Sequence, residues 1–313
     1  MTDPLRLEEK YECGTLITAQ DRTGVIALAR RVESAGFDSL WVGDHVSFYV
    51  PMLESLTLLS FAAAATERVK LGTAVYLVPL RHPTTTAKVV ATVDVLSGGR
   101  VVLGVGVGGE FPPEFEACGV PVEERGTRAN EAIEVLRRLW SESNVTHAGR
   151  HFRFGPVSLD PKPLQRGGPP ILVGGRKAPA FRRAGRLADG YISHMCSPEM
   201  YRENLEAIRR HAERAGRRDV PFQTIAFLFT RLGDDYEECL KSAAGTLQRV
   251  YNRPFEEAAR KYCLLGRTDD CLEQMRAFAR AGCRQFVLSP LMDGTEFLER
   301  AERDVLPFVR SIG

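Results

Sequence analysis

The residues in this chain that could do chemistry fall into three groups. WVGDHV places Asp44 beside His45. Histidine titrates near neutrality, so it can exchange a proton with a reacting group or hydrogen-bond a heteroatom of a bound cofactor. His194 in GYISHM and His82 in LRHP are weaker candidates, because a lone histidine is more often a packing or loop residue. The second group is LVGGRKAPAFRRAGRL (172–187), where a strand ends in Gly174–Gly175 and Pro179 marks the first turn of a helix. Free N–H groups at that helix start, with Arg176 and Lys177 beside them, suit a phosphate. A plain strand-to-helix turn would use the same glycines. The third is VLGVGVGGE (102–110), with Val107, Gly108 and Glu110. It superficially matches a dinucleotide fingerprint, but Pro112–Pro113 interrupt where that motif needs a helix at once. Small residues there would let a flat ring lie against the backbone, or simply permit close packing.

Other chemistries lack their residues. The sequence has no HExxH or clustered carboxylate pattern, so no metal site is expected. It has no GxSxG elbow and no lysine at a strand end to form a Schiff base. What remains is a glycine-rich set of strand ends with one or two histidines and few acids, which fits a cofactor site better than a metal or covalent-nucleophile site.

Short β-branched runs alternate with helical stretches and must position these groups. Strands are predicted over 13–18, 39–45, 69–78, 101–108, 170–175, 190–195, 222–230 and 284–290. Several are almost continuously apolar, as expected for parallel strands covered on both faces. Between them run 3.6-residue patterns such as Val25, Leu28, Ala29 and Val32, closed by Gly36. Eight strands alternating with helices indicate a (β/α)8 barrel, with an open doubly wound sheet as the other architecture. The two long intervals, 109–169 and 231–283, read as loop insertions, the first with a hairpin turning at Ala148–Gly149. One domain over 1–313 is expected, and in a barrel the chemistry belongs at the C-terminal strand ends.

Composition sets outer limits. The 42 basic and 40 acidic residues nearly cancel, which argues against a nucleic-acid or membrane-surface binder. No apolar run approaches the roughly 18–20 residues of a membrane span. The polar N-terminus lacks a signal core, and seven cysteines without a CxxC pair read as reduced thiols. A cytoplasmic protein is expected.

Taken together, several segments resemble the luciferase-like monooxygenase superfamily, in particular its deazaflavin branch using coenzyme F420. They are ESAGFDSLWVGDHV (33–46), VKLGTAVYLVPLRHP (69–83), DVLSGGRVVLGVGVG (94–108), EFEACGVPVEERGTRANEAIEVLRRLW (114–140) and PPILVGGRKAPAFRRAGRLADGYI (169–192). They cover about three quarters of the chain, in the family's order. The resemblance implies a bacterial luciferase-like (β/α)8 barrel with the cofactor ring in its mouth. It implies that Asp44 and His45 are catalytic, with the histidine near the ring and the aspartate supporting it. Thr73, Ala74 and Val75 match the segment that supports the ring, often through a bulge and a non-prolyl cis peptide. Val107 and Gly108 match the fourth-strand end beside the ring, and Gly174, Gly175 and Arg176 the phosphate loop. Two departures stand out. Some members carry Thr-Gly-Glu after the fourth strand, with the glutamate in acid–base chemistry; here Val107–Gly108–Gly109 stands there, and Glu110, one place later, is the third catalytic candidate. A serine is common where this chain has Arg176.

The expectation is therefore an F420-dependent oxidoreductase moving a hydride between C5 of the deazaflavin and a small organic substrate, with 110–124 and 147–168 shaping the substrate pocket. The first alternative is an FMN-dependent monooxygenase served by a flavin reductase. A non-catalytic flavin- or deazaflavin-binding protein and an unrelated phosphate-binding barrel are the others. The shortage of Lys and Glu at the strand ends argues against the last. A homodimer is expected, using apolar segments around 56–65 and 86–95.

Overall fold

Each of the eight expected segments forms a strand in the computed structural model, which describes residues 3–312. They are β1 (Glu12–Leu16), β2 (Ser39–Val42), β3 (Lys70–Thr73), β4 (Val101–Gly106), β5 (Ile171–Gly174), β6 (Gly190–Ser193), β7 (Val220–Leu232) and β8 (Gln285–Pro290). Each pairs in parallel with the next. β8 also pairs with β1, from Gln285–Glu12 to Leu288–Thr15, so the sheet closes. The architecture is a (β/α)8 barrel, and the open sheet is excluded.

The helices form where the sequence supplies both a face and its stops. In Arg22–Ala35 the Asp21 carboxylate accepts from the Gly24 N–H at 2.9 Å, and Gly36 ends the helix at a φ of 90°. Val25, Ala29, Val32 and Ala35 are buried against the sheet. This layer between strands and helices is the larger part of the core. A second cluster fills the barrel itself, led by Trp41, Val102, Leu172, Ile192, Ile225 and Val287. Trp41 reaches across both neighbouring strands: a Cβ on Gly14 would lie 2.7 Å from its indole nitrogen, and one on Gly72 2.2 Å from its ring. Those glycines are the space the indole occupies.

Three features depart from expectation. The third strand does not run through 69–78. It breaks after Thr73 at a cis Ala74–Val75 peptide and resumes as Tyr76–Leu77, which pairs with β4. The three-residue strands Leu5–Leu7 and Leu264–Gly266 extend the sheet along the two ends of β7, and both are too short to show a period in sequence. Pro112–Pro113 do not interrupt a helix but begin one, Pro112–Ala117, because proline fits the first turn where no N–H partner is needed. All seven cysteines are free thiols, six of them buried.

Candidate active site

The C-terminal ends of the strands surround a cavity of about 710 Å³. Its lining includes Thr18, Asp44, His45, Ala74, Val75, Val107, Gly108, Glu110, Gly174, Gly175, Ser193 and His194. Most of the residues singled out in the sequence are thus brought together.

Val75 forms one wall. Its side chain occupies the places where Cβ atoms on β4 and β5 would stand: 2.3 Å from that of Gly106 and 2.7 Å from that of Gly174. The break in β3 projects this valine into the mouth, and the two glycines admit it. Thr73 does not share the wall. It is buried, and its hydroxyl donates to the Gly104 carbonyl at 2.7 Å, so it braces β3 against β4 below the cavity.

His45 is held by a residue the sequence reading missed. Its Nδ1 lies 3.0 Å from the Glu114 carboxylate, which also accepts from the Val46 N–H at 3.2 Å. The Glu114 side chain is 0% exposed, that of His45 15%. With the carboxylate as acceptor, Nδ1 carries the proton and Nε2 is the basic nitrogen, without a hydrogen-bond partner among the described residues. Phe48 stacks on the other side of the imidazole, centroids 3.8 Å apart.

Asp44 is therefore not the support of His45. Its carboxylate accepts from the Ser55 hydroxyl at 3.0 Å, the Leu77 N–H at 2.8 Å and the Arg81 guanidinium at 2.8 Å. Burial alone would lower the Arg81 pKa; Asp44 more than reverses this, and the net shift is upward. Asp44 ties the end of β2 to the rebuilt part of β3 and to the Ser55–Ala65 helix. His82 caps the Pro83–Ser97 helix through Nδ1, a structural role.

On the opposite side, Gly175 takes a φ of 146°, and a Cβ there would stand 2.6 Å from that of Ala180. The Ala178–Leu187 helix has no side-chain cap at Lys177, but Pro179 has no N–H and the Ala180 N–H donates to the Lys177 carbonyl at 2.8 Å, so Ala178 is left as the first-turn N–H that could meet an anion. Arg176 is exposed at the rim and does not line the cavity wall. His194 sits beside the rings of Phe227 and Phe229, 6.1 and 5.8 Å from their centroids. Burial, then the charges of Arg176 and Arg253, push its pKa down to about 4, so near neutrality it is an uncharged ring. Glu110 is exposed at the mouth, where its charge helps raise Tyr251 to about 12, after burial as the main cause.

The expected pocket-shaping insertions contribute little. Of 110–124 and 147–168, only Glu110 reaches the lining. The hairpin Val145–Ala148/Arg153–Val157 is tied outside the barrel, with His147 Nε2 2.9 Å from Glu131 and the His151 and Phe152 N–H groups donating to the same carboxylate. The walls come instead from Phe48 to Leu53 after β2 and from Ser242 to Tyr251 after β7. Arg81 and Glu114 fall within the segments 69–83 and 114–140 that carry the resemblance but were given no role there, and Arg231, which lines the cavity, falls outside them. Reading Pro112–Pro113 as a helix start would have been the available signal for Glu114. Among the described residues no group of three or more metal-ligating side chains occurs, and no helix is long and apolar enough to cross a membrane.

Residues 11–288 match the profile of the luciferase-like monooxygenase family. An F420-dependent glucose-6-phosphate dehydrogenase from Nakamurella multipartita is 30% identical over 91% of this chain and 92% of its own. An F420-dependent secondary alcohol dehydrogenase solved with an F420–acetone adduct superposes with a TM-score of 0.86 at 21% identity, covering 96% of this chain and 99% of its own. A monooxygenase from Streptomyces bottropensis superposes with a TM-score of 0.81 at 25% identity, covering 95% and 99%.

Proposed function

This chain belongs to the luciferase-like monooxygenase family, and on that premise we propose that it is an F420-dependent oxidoreductase that moves a hydride between the deazaflavin and a small organic substrate. The relatives named as F420-dependent dehydrogenases, matched over nine tenths of the chain, support the cofactor. The observation that carries the reading is the mouth of the barrel: a Val75 wall with glycines beside it, facing a histidine whose proton position is set by a buried carboxylate.

The bound deazaflavin supplies hydride chemistry at its C5 carbon. The chain's own residues orient, shield and manage the proton. Ala74, Val75, Val107 and Gly108 support the ring. Gly174, Gly175 and the Ala178 N–H would hold the phosphate, with Arg176 adding charge from the rim. His45 takes the proton of a substrate hydroxyl on Nε2, or returns it to a carbonyl oxygen in the reverse direction. Glu114 stabilises the imidazolium so formed. Glu110 is exposed at the mouth, His45 pairs with Glu114 instead, and Glu110 is assigned no proton step.

Parallel titration of purified apo-protein with F420 and FMN, followed by absorbance and fluorescence, tests this. Micromolar or tighter F420 binding with FMN at least tenfold weaker is expected. The reverse preference would overturn the assignment in favour of a reduced-flavin monooxygenase with a reductase partner, and binding of neither would remove the cofactor altogether. We also place the enzyme in the cytoplasm as a homodimer. Exposed Phe61, Val89 and Leu96 on the adjacent Ser55–Ala65 and Pro83–Ser97 helices support that interface, and sedimentation equilibrium of a Phe61→Glu variant tests it.

A further inference from the structure

Phe227, Phe229 and Arg231 occupy alternate positions on β7 and point the same way, into the cavity. Arg231 is the last of them. One terminal nitrogen donates to the Leu291 carbonyl at 2.8 Å. Nε is buried without a partner, and among the described residues no carboxylate pairs with the guanidinium. The other charges of the lining are spoken for or lie outside: Asp44 is paired with Arg81, and Glu110 is exposed at the mouth. A cation enclosed in a protein wall normally has an anionic partner. Guanidinium recognises carboxylates and phosphates through parallel N–H donors, and a singly charged planar carboxylate suits a cavity whose walls are mostly hydrocarbon.

Most of the cavity wall is apolar, with Gln20, Ser242, Thr246 and Ser289 among the polar exceptions. Val50, Met52, Leu53, Leu247, Val250 and Met292 line the cavity alongside the two phenylalanines. A polyhydroxylated sugar would lose water against that apolar majority and regain only part of its hydrogen bonds.

We propose that the substrate of this site has a hydrophobic body and one carboxylate, which docks on Arg231 while the reacting carbon lies nearer His45. The chain thereby differs in substrate class from relatives named for glucose 6-phosphate. This rests on the F420 reading of the same cavity, and one set of titrations separates the two. F420 is titrated first into the wild type, Arg231→Leu and Arg231→Lys. Then 4-phenylbutyrate, its neutral isostere 4-phenylbutyramide and glucose 6-phosphate are titrated into each F420-loaded protein, and the first two also into apo-protein.

The wild type is expected to bind 4-phenylbutyrate at least tenfold tighter than the amide, and glucose 6-phosphate weakest. Arg231→Leu should bring acid and amide to within twofold while F420 affinity stays within twofold. Arg231→Lys, which keeps the charge and loses the planar fork, should retain an intermediate preference and so controls for misfolding. Equal binding of acid and amide by the wild type, or a preference that survives in Arg231→Leu, overturns the proposal. So does a tenfold loss of F420 affinity in Arg231→Leu, which would place the anion on the cofactor. If F420 fails to bind the wild type, the cofactor reading falls, and the acid–amide ratio in apo-protein still decides the role of Arg231.

Discussion

The Glu114 carboxylate lies 3.0 Å from Nδ1 of His45 and has no exposed surface of its own. The two residues are 69 positions apart, one after β2 and the other on a short helix after β4. A buried carboxylate behind a histidine does two things: it selects the tautomer with the free nitrogen outward, and it stabilises the ring once that nitrogen takes a proton.

Replacing His45 by Ala should lower kcat by about 10²–10⁴-fold, the range removal of a positioned acid–base typically costs. F420 affinity should change little. Glu114→Gln should lower kcat by about 10–100-fold, the usual cost of losing an orienting partner. Stopped-flow reduction of F420 under single-turnover conditions measures both. Wild-type rates in Glu114→Gln would show that the pair is structural only.

The Asp44–Arg81 pair is read as a staple between strand ends. Both side chains are largely buried, 0% and 18% exposed. Removing one partner of a buried pair leaves an uncompensated charge and costs about 3–5 kcal/mol. Arg81→Leu should therefore unfold at markedly lower urea than the wild type. An unchanged midpoint would contradict the staple.

Val75 and Gly174 form a steric lock that a double-mutant cycle can read. Gly174→Ala places a methyl where Val75 already stands. It should destabilise the fold by about 1–3 kcal/mol through overpacking and weaken F420 binding. Adding Val75→Ala should recover much of the stability, because the two changes share one space. Strict additivity of the two would sink the lock.

His194 gives the fold an acid sensitivity. Its unperturbed pKa of 6.5 falls to about 4 in the folded protein, from burial first and then from Arg176 and Arg253. Below pH 6.5 the unfolded chain binds a proton that the folded chain refuses. Stability from this group is thus fully present above about pH 6.5 and is lost as the pH falls towards 4. His194→Asn removes the titration, so its urea midpoint should decline less between pH 7 and pH 4.5 than that of the wild type. Parallel declines would assign the acid sensitivity elsewhere.

The sequence by itself determined the eight alternating strands and favoured the barrel, because parallel strands must be covered on both faces. Closure, made by the pairing of β8 with β1, was decided by the tertiary structure and excluded the open sheet. The sequence also located His45, Gly174 and Gly175 at strand ends, since glycine and histidine there follow from local pattern. Asp44 was found but given the wrong neighbour. Which carboxylate meets His45, where Arg231 points and which loops wall the cavity were decided only by the tertiary structure. Those relations join residues on different strands, and a side chain's partner depends on barrel closure and loop packing, which leave no period in the chain. Pro112–Pro113 illustrate the limit: in sequence they read as a break, and in the fold they start the helix that delivers Glu114.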